Sequence, residues 1–77
     1  MKIKVYGTDW CSDCILVKNF LSENGIKFEY INIADNRQAI RYVEKINNGK
    51  RIIPTLEING KTYTNPQIQT LQKIIEL

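Results

Sequence analysis

Residues 3–17 read Ile3-Lys4-Val5-Tyr6-Gly7-Thr8-Asp9-Trp10-Cys11-Ser12-Asp13-Cys14-Ile15-Leu16-Val17, and two periodicities meet in them. The first residues, up to Tyr6, read as a strand, and Gly7-Thr8-Asp9 breaks it. From Cys11 onward the period changes. Cys14, Val17 and Leu21 recur at helical spacing, with Leu16 and Phe20 beside them. A strand handing over through a short loop to a helix puts Cys11 at the helix start and Cys14 one turn later, facing the core with Val17.

Downstream, Gly25 suits the left-handed conformation that stops a helix. Residues 26–33 are rich in β-branched and aromatic side chains and predict a second strand. Asp35 or Asn36 can cap a second helix, whose inner face is Ile40, Val43 and Ile46, and Asn48-Gly49 ends it. Pro54 cannot donate to a sheet ladder and belongs at a strand start or edge. Leu56 and Ile58 alternate with Glu57 and Asn59, Asn59-Gly60 fits a tight hairpin turn, and residues 61–64 form the return strand. Asn65-Pro66 reads as a cap with proline at the first helical position, opening a last helix lined by Ile68, Leu71 and Ile75. The order is β-α-β-α-β-β-α. Its first half needs a crossover and hence parallel strands, and its second half is a hairpin. An α/β fold follows, with a mixed four-stranded sheet and helices on both faces. Residues 1–77 are expected to form one domain, without linker, repeat or low-complexity segment.

At 77 residues the chain is near the lower limit for independent folding. No apolar run approaches the ~20 residues that cross a bilayer. Met1-Lys2-Ile3-Lys4-Val5 is too short and too charged for a signal peptide. A cytoplasmic protein without a membrane partner is expected. The net charge is +3, and the 11 basic residues are spread along the chain, with Lys50-Arg51 the single doublet. Nucleic-acid binding usually shows a concentrated basic patch with aromatic residues among it, and none is present. The doublet is either solvated surface or an attraction for an acidic peptide or thiol partner.

The chain has two cysteines and no histidine. A tetrahedral zinc site would lack its ligands, and a Cys-His nucleophile pair is impossible. A disulfide between Cys11 and Cys14 closes so small a loop that it removes little unfolded-state entropy, so it would be a poor staple. What remains is dithiol redox chemistry, against half of a metal site shared with another chain or two core cysteines spaced by chance. Location favours the first. Free amides at a helix start favour a thiolate at Cys11, and Cys14 is close enough to resolve a mixed disulfide. Asp9 and Asp13 suit the helix dipole, yet each also opposes a nearby thiolate, and Lys18, one turn beyond Cys14, partly offsets them. This predicts a more reducing dithiol than one without those acids. Trp10 either covers the sheet end or gives a substrate a flat apolar contact beside Cys11. Tyr6 reads as core.

The stretch Tyr6-Gly7-Thr8-Asp9-Trp10-Cys11-Ser12-Asp13-Cys14, a helix, and then Ile53-Pro54-Thr55 before a hairpin together resemble the glutaredoxin-like proteins of the thioredoxin superfamily. The resemblance spans nearly the whole chain. Thr8, Trp10 and Asn65-Pro66 make it most similar to the short bacterial group that includes mycoredoxins and ribonucleotide-reductase-linked redoxins. It implies a thioredoxin fold and a thiol–disulfide oxidoreductase in which Cys11 attacks a substrate disulfide and Cys14 resolves the mixed disulfide. It also implies a cis Ile53-Pro54 peptide facing the site, leaving the Ile53 backbone to pair with an extended substrate. Substrates would be protein disulfides or glutathione mixed disulfides, with glutathione or thioredoxin reductase as electron source, no separate cofactor, no metal, and a monomeric chain. Many glutathione-using members carry a basic residue at the place of Thr8 and a Gly-Gly pair near the last helix. Here Tyr63-Thr64-Asn65-Pro66-Gln67 stands, and the Trp-Ser-Gly-Phe-Arg-Pro signature of the ribonucleotide-reductase redoxins is missing, so the reductant stays open. A glutathione carboxylate would fall to the Asn65 side chain, amides of the final helix start, and Lys50 or Arg51. The alternative function is a dimeric carrier sharing an iron–sulfur cluster through Cys11, which a brown colour under anaerobic purification would reveal.

Overall fold

The computed structural model describes residues 1–76. Strand β1 (Ile3–Gly7) is flanked by β2 (Glu29–Asn32) in parallel and by β3 (Thr55–Ile58) in antiparallel. Strand β4 (Lys61–Thr64) pairs antiparallel with β3, so the sheet order is β2-β1-β3-β4. Helices α1 (Ser12–Glu23), α2 (Arg37–Ile46) and α3 (Ile68–Ile74) complete the expected β-α-β-α-β-β-α order.

The two-residue period of β1 sorts the helices onto the two faces. Ile3 and Val5 point to a core shared with Val17 and Leu21 of α1, Leu56 and Ile58 of β3, and Leu71 of α3. Tyr6 points the other way, into a smaller cluster with Ile33 and with Ala39 and Val43 of α2. Leu21, Leu56 and Leu71 are fully buried, each worth roughly 1.5–3 kcal/mol relative to exposure. The α1/α3 face therefore carries most of the apolar burial. Tyr6 is core, as its position suggests, with its ring centroid 5.0 Å from that of Tyr42.

Local chemistry explains most element ends. Gly25, at φ +67°, closes α1: its N–H donates to the Ser22 carbonyl at 3.1 Å, and the Ile26 N–H reaches the Leu21 carbonyl at 2.9 Å. Asn36 caps α2, its side-chain oxygen accepting from the Ala39 N–H at 3.0 Å. Asn59 and Gly60, at φ 51° and 86°, form the two-residue turn between β3 and β4.

Two expectations are corrected. The second strand is shorter than residues 26–33: the Ile26 N–H is taken by the end of α1, and pairing with β1 starts only at Glu29. Nor does Asn65 cap the last helix. Asn65 sits at φ +41°, and α3 starts at Ile68 behind Gln67, which makes no side-chain cap bond. A tertiary contact wins there, because the Asn65 N–H donates to the Pro54 carbonyl at 2.7 Å. Among the described residues, no helix is long and apolar enough to cross a membrane.

Candidate active site

Cys11 is the N-cap of α1. Its backbone is extended (φ −89°, ψ 113°), and its Sγ accepts a hydrogen bond from the Cys14 N–H at 3.1 Å. A cap is normally a Ser, Thr, Asp or Asn oxygen; here sulfur takes that place, so an orphan donor of the first turn is aimed at the thiol. Cys11 is half-buried, whereas Cys14 is 0% exposed. Burial pushes the Cys14 thiol up to about 12, and its hydrogen bond with Cys11 adds to the shift. The Thr8 N–H and, more weakly, the Lys18 charge pull the other way. Cys14 is thus a neutral, enclosed thiol at ordinary pH.

Gly7 makes the enclosure possible. A Cβ there would lie 2.6 Å from Cys14 Sγ and 3.1 Å from Cys14 Cβ. Gly7 belongs to β1, so the loop break begins one residue later than the sequence suggests. Beside it, the Thr8 hydroxyl is buried without a hydrogen-bond partner among the described residues.

Two of the three residues expected to tune the thiols are arranged around a fourth. Asp9 accepts hydrogen bonds from Tyr30 Oη at 2.9 Å and Asn32 Nδ2 at 3.3 Å. Lys18 Nζ lies 3.7 Å from the Tyr30 ring centroid. Tyr30 is pushed above its ordinary pKa by burial first and by the Asp9 hydrogen bond second. Asp9 therefore holds the hydroxyl of this β2 tyrosine while Lys18 lies over its ring face. Asp13 turns elsewhere, accepting from Asn65 Nδ2 at 3.3 Å.

The residues expected to contact substrate fall into two groups. Trp10 and Ile53 line one cavity of about 260 Å³ together with Thr8, Ile33, Ala34 and Arg51. Trp10 is 75% exposed, so it does not cover the sheet end. The Ile53-Pro54 peptide is cis, as the resemblance implies, and Pro54 is buried immediately before β3. Asn65 lines a second, larger cavity between α1 and α3 with Asp13. Lys50 is exposed and lines neither of these cavities.

One residue that the sequence does not single out ties this region together. Asn47, buried at the end of α2, donates through Nδ2 to the Val43 carbonyl at 2.8 Å and to Thr55 Oγ1 at 3.1 Å. Its Oδ1 accepts from Thr64 Oγ1 at 2.5 Å. Thr55 follows Pro54 and Thr64 precedes Asn65, so one amide fixes the segments that carry Pro54 and Asn65. No spacing rule points to Asn47, Tyr30 or Gly7 in these roles, since each acts on residues of another element of the fold.

The glutaredoxin family profile matches residues 3–63, from β1 into β4, and so includes both cysteines and Pro54. The chain belongs to the glutaredoxin family. A Mycobacterium tuberculosis (strain H37Rv) protein named as a glutaredoxin is 32% identical over 77 residues, covering 97% of this chain and 92% of that protein. Mycoredoxin 1 of Corynebacterium glutamicum is 32% identical over 65 residues, covering 83% and 80%. The crystal structure of the thioredoxin-like protein BC3987 superposes with a TM-score of 0.78 at 29% identity, covering 94% of this chain and 97% of that one. This glutaredoxin thus has the thioredoxin-like fold, and its general class is thiol–disulfide oxidoreductase. The likeness extends to the short mycoredoxin group that Thr8, Trp10 and Asn65-Pro66 suggest.

Proposed function

We propose that this glutaredoxin is a dithiol disulfide reductase in which Cys11 attacks and Cys14 resolves. The observation that carries the reading is the asymmetry of the pair: Cys11 is the half-buried cap whose sulfur receives the Cys14 N–H, and Cys14 is wholly enclosed. A hydrogen bond from a backbone N–H strengthens when its acceptor is anionic, so the same geometry supports Cys11 as the attacking thiolate.

In the first step the Cys11 thiolate attacks one sulfur of a substrate disulfide. That S–S bond breaks, a Cys11–substrate S–S bond forms, and the leaving sulfur takes a proton. In the second step Cys14 gives up its proton and attacks Cys11 Sγ. The mixed disulfide breaks, the second substrate thiol leaves, and a Cys11–Cys14 bond remains. Two electrons pass from the dithiol to the substrate. A glutathione mixed disulfide would instead leave glutathione on Cys11 for a second thiol to remove. Ile53, beside Trp10 and before Pro54, is the backbone offered to an extended substrate.

A coupled assay tests the reading. Oxidation of NADPH is followed with a peptide disulfide as substrate, once with thioredoxin reductase and once with glutathione and its reductase. Wild type turns over with one of these sources, and Cys11→Ser does not. A Cys11→Ser protein with full activity would remove Cys11 from the mechanism.

A further inference from the structure

We infer that the cavity between α1 and α3 receives a basic side chain of the protein substrate, close to the disulfide being reduced, and that Asp13 selects for it. The inference rests on the disulfide-reductase reading and adds the class of substrate. The cavity measures about 580 Å³ and is lined by Asp13, Leu16 and Val17 on one side and by residues 65–69 on the other. Asp13 is the one charged residue in that lining. The rest are apolar groups and neutral amides.

The arrangement suits a long side chain with an apolar stem and a cationic end. Leu16 is 55% exposed and Ile68 half-buried, so a stem has surface to cover. Asn65 Nδ2 holds Asp13 Oδ2 at 3.3 Å, which leaves the other carboxylate oxygen for a ligand. No basic side chain among the described residues neutralises Asp13. Lys18 lies over Tyr30, and Arg51 pairs with Glu44 at 3.4 Å. Arg51 lines the smaller cavity, on the α2 side of the sheet. Of the two cavities flanking the Trp10–Cys14 segment, the one at Asp13 therefore holds the charge that has no ion-pair partner among the described residues. Asp13 sits within the motif, one residue from Cys14, so a side chain bound there belongs to the segment carrying the target disulfide.

The test compares two peptide disulfides identical except for lysine or glutamate beside the reactive cysteine, with kcat/KM read for each. Wild type should favour the lysine peptide by about five-fold, the size of an exposed ion pair, and added salt should shrink the ratio. Asp13→Asn should bring the ratio close to one, and Asp13→Glu should restore it. A purely structural part for Asp13 at the helix start would change both peptides together and leave the ratio alone. Equal kcat/KM for both peptides in wild type, or an undiminished preference in Asp13→Asn, overturns this inference and leaves the reductase reading intact. Reduction of neither peptide overturns both.

Discussion

The Cys14 N–H donates to Cys11 Sγ across 3.1 Å, so the enclosed cysteine's own backbone caps the accessible one. The two thiols differ in access, and burial keeps the Cys14 thiol protonated. At pH 8 a thiol with a pKa of about 12 is ionised to about one part in 10,000, and the thiolate is the nucleophile. Iodoacetamide under reducing conditions should therefore modify Cys11 and spare Cys14 in the folded protein. Peptide mapping by mass spectrometry reads this directly. Equal labelling of both cysteines would contradict the asymmetry.

Gly7 sets how deeply Cys14 is enclosed. Gly7→Ala forces a methyl group to within 2.6 Å of Cys14 Sγ, and overpacking of this kind costs typically 1–3 kcal/mol. Urea unfolding should show the loss. Adding Cys14→Ala to Gly7→Ala should recover part of it, because the contacted sulfur is gone. Additive effects of the two substitutions would mean that the contact does not govern the cost.

Asn47→Ala should destabilise by about 1–3 kcal/mol, since it deletes a buried amide that pairs with Thr55 and Thr64. The more telling effect is on substrate. With Thr55 and Thr64 released, KM for a peptide disulfide should rise while the rate of Cys11 alkylation stays unchanged. A fall in alkylation rate with unchanged KM would place Asn47 on the thiol side instead.

Alkaline pH should weaken the fold in a defined window. The folded Cys14 thiol titrates at about 12 against an ordinary 9.0, so above pH 9 the unfolded chain releases a proton that the folded one keeps. The folded state then binds more protons, and stability, complete below pH 9, falls as pH rises toward 12. Tyr42, raised from 10.0 to about 12 by burial and by its hydrogen bond to Glu57, acts with the same sign from pH 10. Urea midpoints measured with reductant present should decline over this range. Cys14→Ala should remove the part that begins near pH 9 and keep the part that begins near pH 10.

What the sequence reveals of this structure is mostly local. Gly25, Asn36 and Asn59-Gly60 are legible because each makes its bonds within a few residues. The faces of β1 are legible because alternation is a property of the strand alone. Asn65-Pro66 carries an equally good local signal for a helix start, and the Pro54 carbonyl overrides it from eleven positions away. The cysteine pair could be located at a helix start, but its supporting parts could not. Gly7 looks like a loop residue until Cys14 is packed against it. Tyr30 looks like an ordinary strand aromatic until Asp9 and Lys18 converge on it from the first quarter of the chain. Asn47 is in sequence just another residue before the Asn48-Gly49 stop, whereas in space it ties together the paired strand ends at Thr55 and Thr64.

The division of labour between the two thiols is best tested by trapping. Cys14→Ser, mixed with a peptide disulfide, should accumulate a covalent adduct whose mass and fragment map place the peptide on Cys11, while Cys11→Ser should form none. An adduct on Cys14 in the Cys11→Ser protein, formed as fast as the other, would contradict Cys11 as attacker and Cys14 as resolver.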